Sequence, residues 1–316
     1  MFRHSKLSAV ALALAAIITL DTTTTNVANA QRSDDRWNWS HNIEFTAQSV
    51  ARPEGVQELQ TLLKTKKGPF KVVGTAHSFN DIADTPGTQI SLENFTNITV
   101  DKERGVVKFG AGITYTKLIE ALSAEHMAIE NLPSLPHLNV VGSVVTGTHG
   151  SGIHNRAMSG LVTELTYIDG NGTSWTYTLD DKKEFFRQMH TFGMVGIITE
   201  MSMRIIPEFA VTKCIYKDVA FDTIFESDRV FRKLQDSHGY ISYFTDWEDP
   251  VMNSIWLGNR HDETEGDFTE FLQEGAGDLT QICEDGYLGG TLTKKTHPVP
   301  GRSSEPCVSS GRGMWN

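Results

Sequence analysis

Cysteine is scarce in this sequence. Only Cys214, Cys283 and Cys307 carry a thiol, and they show no metal-ligand spacing, which argues against a structural zinc site. In an exported chain three cysteines suit one disulfide and one remaining thiol, and the spacing does not say which two would join. Positive charge is also in short supply. Lys and Arg number 28 against 39 Asp and Glu, for a net charge of -11. An acidic surface repels phosphate backbones, so nucleic acid is not an expected partner. Internal repeats and long low-complexity tracts are missing, and no segment after the first thirty residues is apolar enough to span a membrane. What remains is the composition of a soluble globular protein, 39% hydrophobic and 21% charged, in a chain of 316 residues that suffices for two ordinary domains.

Residues 1–30 read as a signal peptide rather than as part of the fold. Arg3, His4 and Lys6 form a basic start, residues 7–20 are apolar apart from Ser8 and Thr19, and Ala28-Asn29-Ala30 places small residues around a cleavage position. The alternative is a membrane anchor left uncleaved, but the run falls short of the roughly 20 residues a span needs. Cleavage after Ala30 removes Arg3, Lys6 and Asp21 and takes the net charge from -11 to -12. The expected location is secreted or periplasmic. Asn38, Asn94, Asn97 and Asn171 each head an N-x-S/T sequon, open to glycosylation in a eukaryotic secretory pathway.

From residue 43 strand and helix signals mix. Residues 56–64 have helical spacing, with Val56, Leu59, Leu62 and Leu63 on one face and Pro53 just ahead. Residues 70–73 form a short strand ending at Gly74. Residues 98–101 and 106–109 read as a hairpin, as do 161–169 and 174–179 around Asn171-Gly172. Residues 115–122 read as a helix with Thr114 as N-cap, and 197–206 as a strand ended by Pro207. Asp180-Asp181 with Lys182-Lys183 reads as a solvated turn, and Trp247 as packing. The result is an α+β unit over residues 43–207, further strands and a helix over 208–275, and a tail rich in Gly, Ser, Thr and Pro that is expected to be poorly ordered.

Two stretches carry candidate chemistry. Gly74-Thr75-Ala76-His77-Ser78-Phe79-Asn80 follows a strand directly, and a glycine there lets the backbone turn its N–H groups toward an anion. Residues 141–152 hold four glycines, Gly142, Gly147, Gly150 and Gly152, among small hydroxyl residues, a composition that lets backbone N–H groups wrap a pyrophosphate. Two other phosphate motifs fail. Thr148 stands where a P-loop needs lysine, and Tyr115 stands where the Gly110-Ala111-Gly112 segment would need the third glycine of a dinucleotide fingerprint. That segment reads as a tight turn into a helix. His137, His149 and His154 lack ligand spacing, and no metal is expected.

Taken in order, Asn38-Trp39-Ser40, Gly74–Asn80, Asn131-Leu132-Pro133-Ser134-Leu135-Pro136-His137, 142–152 and 192–199 make residues 38–207 resemble the PCMH-type FAD-binding domain of the vanillyl-alcohol-oxidase superfamily. Within it the sequence is most similar to bacterial alditol (xylitol) oxidases, relatives of the aldonolactone oxidases. Phe244-Thr245-Asp246-Trp247 and His297-Pro298-Val299-Pro300-Gly301 extend the likeness. The resemblance implies two α/β subdomains binding FAD, followed by an incomplete α+β substrate domain over 208–316. It implies a covalent bond from His77 to the flavin methyl carbon, with Gly74, Thr75, Ala76, His77 and Ser78 meeting the pyrophosphate. Ser134 then lies near the reactive flavin nitrogen as the catalytic candidate. Asn139, Gly142, Thr146, Gly147, Thr148 and His149 line the cofactor, and Ile197 presents its backbone to it. No cysteine lies between His77 and Cys214, so a single tether is expected.

The implied reaction oxidises a CH–OH group of a polyol, or of a sugar lactone, and passes electrons to O2 or another acceptor. Pro133 stands where alditol oxidases have a smaller residue, at a position that can control access of O2, which leaves oxidase and dehydrogenase both open. The basic and acidic residues that hold the polyol in alditol oxidases lie beyond the H-P-V-P-G segment, and the sequence stops at Asn316. Poor polyol turnover, or a flavin-binding protein without activity, is therefore a further expectation, with His137 and Glu200 as reserve candidates for catalysis.

Overall fold

The computed structural model describes residues 36–189, 191–226, 228–261 and 291–296. The expected signal peptide, Cys283, Cys307, the H-P-V-P-G segment and the tail lie outside them.

The first layer is a small parallel sheet. Strand β1 (Ser49–Ala51) leads through helix α1 (Val56–Thr65) into β2 (Phe70–Val73), and β3 (Thr88–Ser91) lies between β1 and β2, parallel to both. In α1 only Leu59 and Leu63, one turn apart, are buried, while Val56 stays 37% exposed, so the apolar stripe is narrower than the four-residue face read from the sequence. Strand β3 escaped the sequence reading because its residues, Thr-Gln-Ile-Ser, show no apolar alternation. All four are buried, and the polar ones are satisfied locally: Gln89 donates to the Ala83 carbonyl at 2.8 Å and Ser91 to Glu93 at 3.2 Å.

The second layer is an antiparallel sheet of β4 (Ile98–Asp101), β5 (Val106–Gly110), β7 (Val162–Ile168), β8 (Ser174–Thr178) and β9 (Ile197–Arg204), in the order β4-β5-β9-β7-β8. Both expected hairpins are present, the second turning at Gly172 with φ +77°. A two-stranded pair, β6 (Met127–Ala128) with β10 (Ile206–Pro207), flanks it. Helix α2 (Tyr115–Ser123) buries Tyr115, Leu118 and Leu122. Thr114 sits at its N-cap, but its side chain makes no capping bond. The helix's first N–H groups instead donate to a distant loop, Tyr115 to the Leu138 carbonyl at 3.1 Å and Thr116 to Pro136 at 2.8 Å. The supposed solvated turn at 180–183 opens helix α4 (Lys182–Met189). Asp181 accepts from the Glu184 N–H at 3.2 Å, and Phe185 and Met189 are buried behind the charges that hid them. One buried cluster, from Leu59 to Ile205, joins both layers.

Past Pro207 the chain builds a separate antiparallel sheet from β11 (Ala210–Lys217), β13 (Tyr240–Phe244), β15 (Ser254–His261) and β16 (Thr291–Thr296), in the order β13-β15-β11-β16. The pair β12 (Val219–Ala220) and β14 (Val251–Met252) and helices α5 (Phe221–Phe225) and α6 (Asp228–Ser237) complete this unit. Its own core comprises Cys214, Tyr216, Ile224, Leu234, Ile241, Ile255 and Leu257 among others. Cys214 is disulfide-bonded, to a partner outside the described residues. Trp247 packs edge-to-face against Phe221, with ring centroids 6.1 Å apart, yet stays 79% exposed and takes a positive φ of 65°. The described architecture is therefore mixed α+β, with helices and two sheets around the first core and a second sheet beyond.

Candidate cofactor site

A cavity of about 2660 Å³ lies where the two cores face each other, well above the roughly 300–1,000 Å³ of a small-molecule pocket. Three loops and one sheet face form its walls.

The first loop leaves β2 at Gly74. Gly74 was expected to supply the turn, yet it has no positive φ. Ala76 takes the left-handed conformation instead, with φ 54°. Gly74 is needed for space, because a Cβ there would stand 3.0 Å from the Cβ of Asn139. The loop carrying His77 is held by the turn at 38–42. Trp39 N–H donates to the Ala76 carbonyl at 2.8 Å, the Asn38 amide to Ser78 at 2.8 Å and the Asn42 amide to Phe79 at 3.1 Å. Asn38 is only 1% exposed and its side chain is fully engaged, so this sequon is not a glycosylation site in the folded chain.

Around His77 three aromatic rings meet. The Trp39 indole stacks on the imidazole with centroids 4.2 Å apart and planes 20° apart, and the His137 ring lies 4.9 Å away. The Nε2 atoms of His77 and His137 and the Oδ1 of Asn131 are buried without a hydrogen-bond partner. Burial pushes the His77 pKa below the ordinary imidazole value, and the neighbouring His137 ring lowers it further. Burial alone lowers His137. Both shifts favour the neutral form of the ring.

The second loop, 130–139, is fixed to the start of α2 through Pro136 and Leu138. It ends on Asn139, which caps helix α3 (Val140–Val145) by accepting from Gly142 N–H at 2.9 Å and donates to the carbonyls of Ala111 at 2.8 Å and Ile113 at 3.3 Å. The glycine-rich stretch is thus not all loop. Gly142 lies in the first turn of α3, and the Thr146 hydroxyl donates back to the Gly142 carbonyl at 2.9 Å. The side chains of Asn139 and Thr146 are committed to the protein, which leaves Asn139 as a bracket rather than a polar ligand. The open loop begins at Gly147, with φ +76°. The cavity is lined by Gly74, Thr75, Ala76, His77, Ser78, Ser134, Asn139, Gly142, Thr146, Thr148, His149 and Ile197, but not by Gly147. Ser134 is solvent-exposed on the wall. Glu200 is elsewhere, paired with Lys108 at 3.2 Å, and it does not line the cavity.

The far wall is the β13–β15 face, presenting Tyr240, Ser242, Phe244, Trp256, Gly258 and Arg260. Along β15 they alternate, whereas on β13 Ile241 and Tyr243 also reach the cavity while packing with the second core. The glycine loop is pinned to this sheet. Ser151 Oγ accepts from Ile241 N–H at 2.7 Å, Asn155 donates to the Gly239 carbonyl at 3.0 Å, and a Cβ at Gly152 would stand 2.0 Å from that same carbonyl.

Residues 47–178 match the FAD binding domain family. The match lies inside residues 38–207, the span for which the motif order implied a PCMH-type FAD-binding domain. Among curated proteins, the alditol oxidase of a Streptomyces species is 29% identical over 274 residues, which is 86% of this chain and 60% of that protein. The D-arabinono-1,4-lactone oxidase of Kluyveromyces lactis is 29% identical over 72% of this chain and 44% of its own length. The chain thus spans less than two thirds of either relative. Among solved structures, a variant of the cholesterol oxidase of Brevibacterium sterolicum shares the fold, with a TM-score of 0.59 at 18% identity over 68% of this chain and 45% of that one.

Proposed function

We propose that this protein is an FAD-dependent oxidoreductase that oxidises a CH–OH group of a polyol, with the flavin tethered to His77. The observation that carries the reading is a pair of imidazoles, each with an orphaned Nε2 and each shifted toward the neutral form, in a cavity lined by residues of the FAD-binding match. A neutral imidazole is a competent nucleophile. The orphaned atoms of His77, His137 and Asn131 fit a bulky planar group with polar edges.

The backbone N–H groups of 74–78 and 149–152 would hold the pyrophosphate, those of Gly147 and Thr148 being already bonded to Val144 and Ser143; Ser134 would stand beside the reactive ring, and Ile197 would turn its backbone to it. Bound FAD supplies the two-electron acceptor for the substrate hydride. The β13–β15 wall then orients the substrate's hydroxyl and excludes water, which is the protein's share of such chemistry. Electrons leave to O2 or another acceptor. A sugar lactone is the second reading, because a lactone oxidase also aligns, but the alditol oxidase aligns over more of the chain.

Acid precipitation of the purified protein tests the tether: visible absorbance stays with the protein pellet if His77 holds the flavin and leaves with the supernatant if it does not. Anaerobic mixing with xylitol, sorbitol and an aldonolactone tests the reaction. Loss of flavin absorbance with a polyol supports it. Loss with the lactone alone moves the assignment to the second reading, and no loss with any of them removes the catalytic claim.

A further inference from the structure

We infer that Trp39, presented by the 38–42 turn, is a positioning residue for the covalent tether, holding the His77 ring in the orientation from which it bonds to the flavin. The inference rests on the tethered-FAD reading above and adds a residue that the reading does not use.

Three facts carry it. The hydrogen bonds from Trp39, Asn38 and Asn42 grip the carbonyls of Ala76, Ser78 and Phe79, so the backbone is fixed on both sides of His77. The residue gripped first, Ala76, is in the left-handed region at φ 54°, a conformation that a non-glycine residue keeps only where its surroundings impose it. Above this fixed backbone the indole lies nearly parallel to the imidazole at 4.2 Å, while Trp39 and His137 are 6.2 Å apart. With His77 and His137 at 4.9 Å, the three centroids make close to a right angle at His77. Trp39 therefore covers a ring face, and His137 approaches from the side. Neither His77 nor His137 has a hydrogen bond on Nε2 to fix its ring, and His77 otherwise bonds only to its own backbone, so the Trp39 stack is the restraint on its ring from another segment.

The bond to be formed replaces one C–H of the flavin methyl group and one ring N–H of His77 with a C–N bond. The two protons and two electrons released reduce O2 to hydrogen peroxide. Since such a step needs the nitrogen close to the carbon and aligned with it, a ring free to rotate loses rate steeply, and misplacement by an ångström costs about 10²-fold.

The experiment uses the full chain, produced under riboflavin limitation and then mixed with FAD in air. Total flavin per protein and the acid-stable fraction are followed with time for wild type, His77→Ala, Trp39→Ala, Trp39→Leu and Trp39→Phe. The expected result is total FAD binding near wild type in all three Trp39 variants. The tether forms about 10-fold or more slowly in Ala and Leu and recovers substantially in Phe, which can still stack. Trp39→Leu preserves apolar bulk and decides the matter if Trp39→Ala does not accumulate as folded protein. Wild-type tethering in folded Trp39→Leu overturns the inference while leaving the tether on His77 intact. Loss of FAD binding in folded Trp39→Leu and Trp39→Phe overturns it by making Trp39 a binding residue. Wild-type protein that binds FAD but never holds it through acid denies the tether itself, a failure seen before any variant is compared.

Discussion

Gly74 and Asn139 come together so closely that a Cβ on Gly74 would stand 3.0 Å from the Cβ of Asn139 and 3.3 Å from its Cγ. This contact fixes the His77 loop against the start of α3. Asn139 has no freedom to retreat, since its amide is bonded to Ala111, Ile113 and Gly142. Gly74→Val should then cost about 1–3 kcal/mol through overpacking and lower the flavin content of the purified protein. The absorbance ratio of flavin to protein, together with the unfolding midpoint, reads both effects. Wild-type values for each would show that the two loops can separate without consequence.

Asn139 itself is open to a graded test. Asn139→Ala removes the cap of α3 and two long-range bonds, and should destabilise by about 1–2 kcal/mol on the cap alone. Asn139→Asp keeps the acceptor for Gly142 but cannot donate to Ala111 or Ile113, so it should fall between wild type and Ala. Urea midpoints for the three proteins check the order. Equal midpoints for Ala and Asp would mean that the cap contributes nothing.

Gly147 does not line the cavity, and its φ of +76° is the reason to expect that it matters. A β-branched residue there strains the backbone by about 1–2 kcal/mol, and the loop's path to Thr148 and Ser151 changes. Gly147→Val should lose flavin, while Gly147→Asn, which tolerates this region, should retain most of it. Full flavin content in folded Gly147→Val would separate the loop from cofactor binding.

The contrast between residues that could and could not be read explains itself physically. The hairpins and α2 were legible because their apolar residues repeat at strand or helix period and their turns carry glycine. Strand β3 was not, because its Thr, Gln and Ser are buried by local hydrogen bonds rather than by apolarity. Helix α4 was masked by five consecutive charges, Asp180 to Glu184, with Phe185 and Met189 behind them. At the site, resemblance brought Gly74, His77 and Ser134 into view, but the division of labour between Gly74 and Ala76, the commitment of Asn139 and the Trp39 stack depend on contacts between residues 26 to 65 positions apart in sequence. No local pattern encodes those.

Export remains a proposal that one measurement decides. The basic start, apolar run and small residues at 28–30 call for cleavage, and among the described residues no helix is long and apolar enough to cross a membrane. N-terminal sequencing of protein from the medium or periplasm should begin at Gln31 or within a few residues of it. Recovery in the membrane fraction with Met1 intact would make the segment an anchor.

Acid should destabilise this fold early, and the cause is three desolvated imidazoles, His238 buried and His77 and His137 half-buried. Burial lowers the pKa of His77, His137 and His238 from the ordinary value of 6.5, His77 being lowered further by His137, while a backbone contact to Leu234 partly offsets the shift at His238. The unfolded chain takes up protons on these rings near pH 6.5, whereas the folded chain takes them up only at lower pH. Between those values the unfolded state binds more protons, so stability falls as pH drops through the window and is flat above it. Thermal midpoints should be constant from about pH 7 to 8 and decline below about 6.5. Replacing His238 by Asn should flatten part of that decline without touching the cavity. The same window should govern tethering, since only the neutral His77 ring attacks: the rate should be on its plateau at pH 7 and fall only below the ordinary imidazole range. A rate that still rises between pH 7 and 8 would mean that His77 is protonated at neutral pH, and the neutral stacked ring would then be the wrong description of the site.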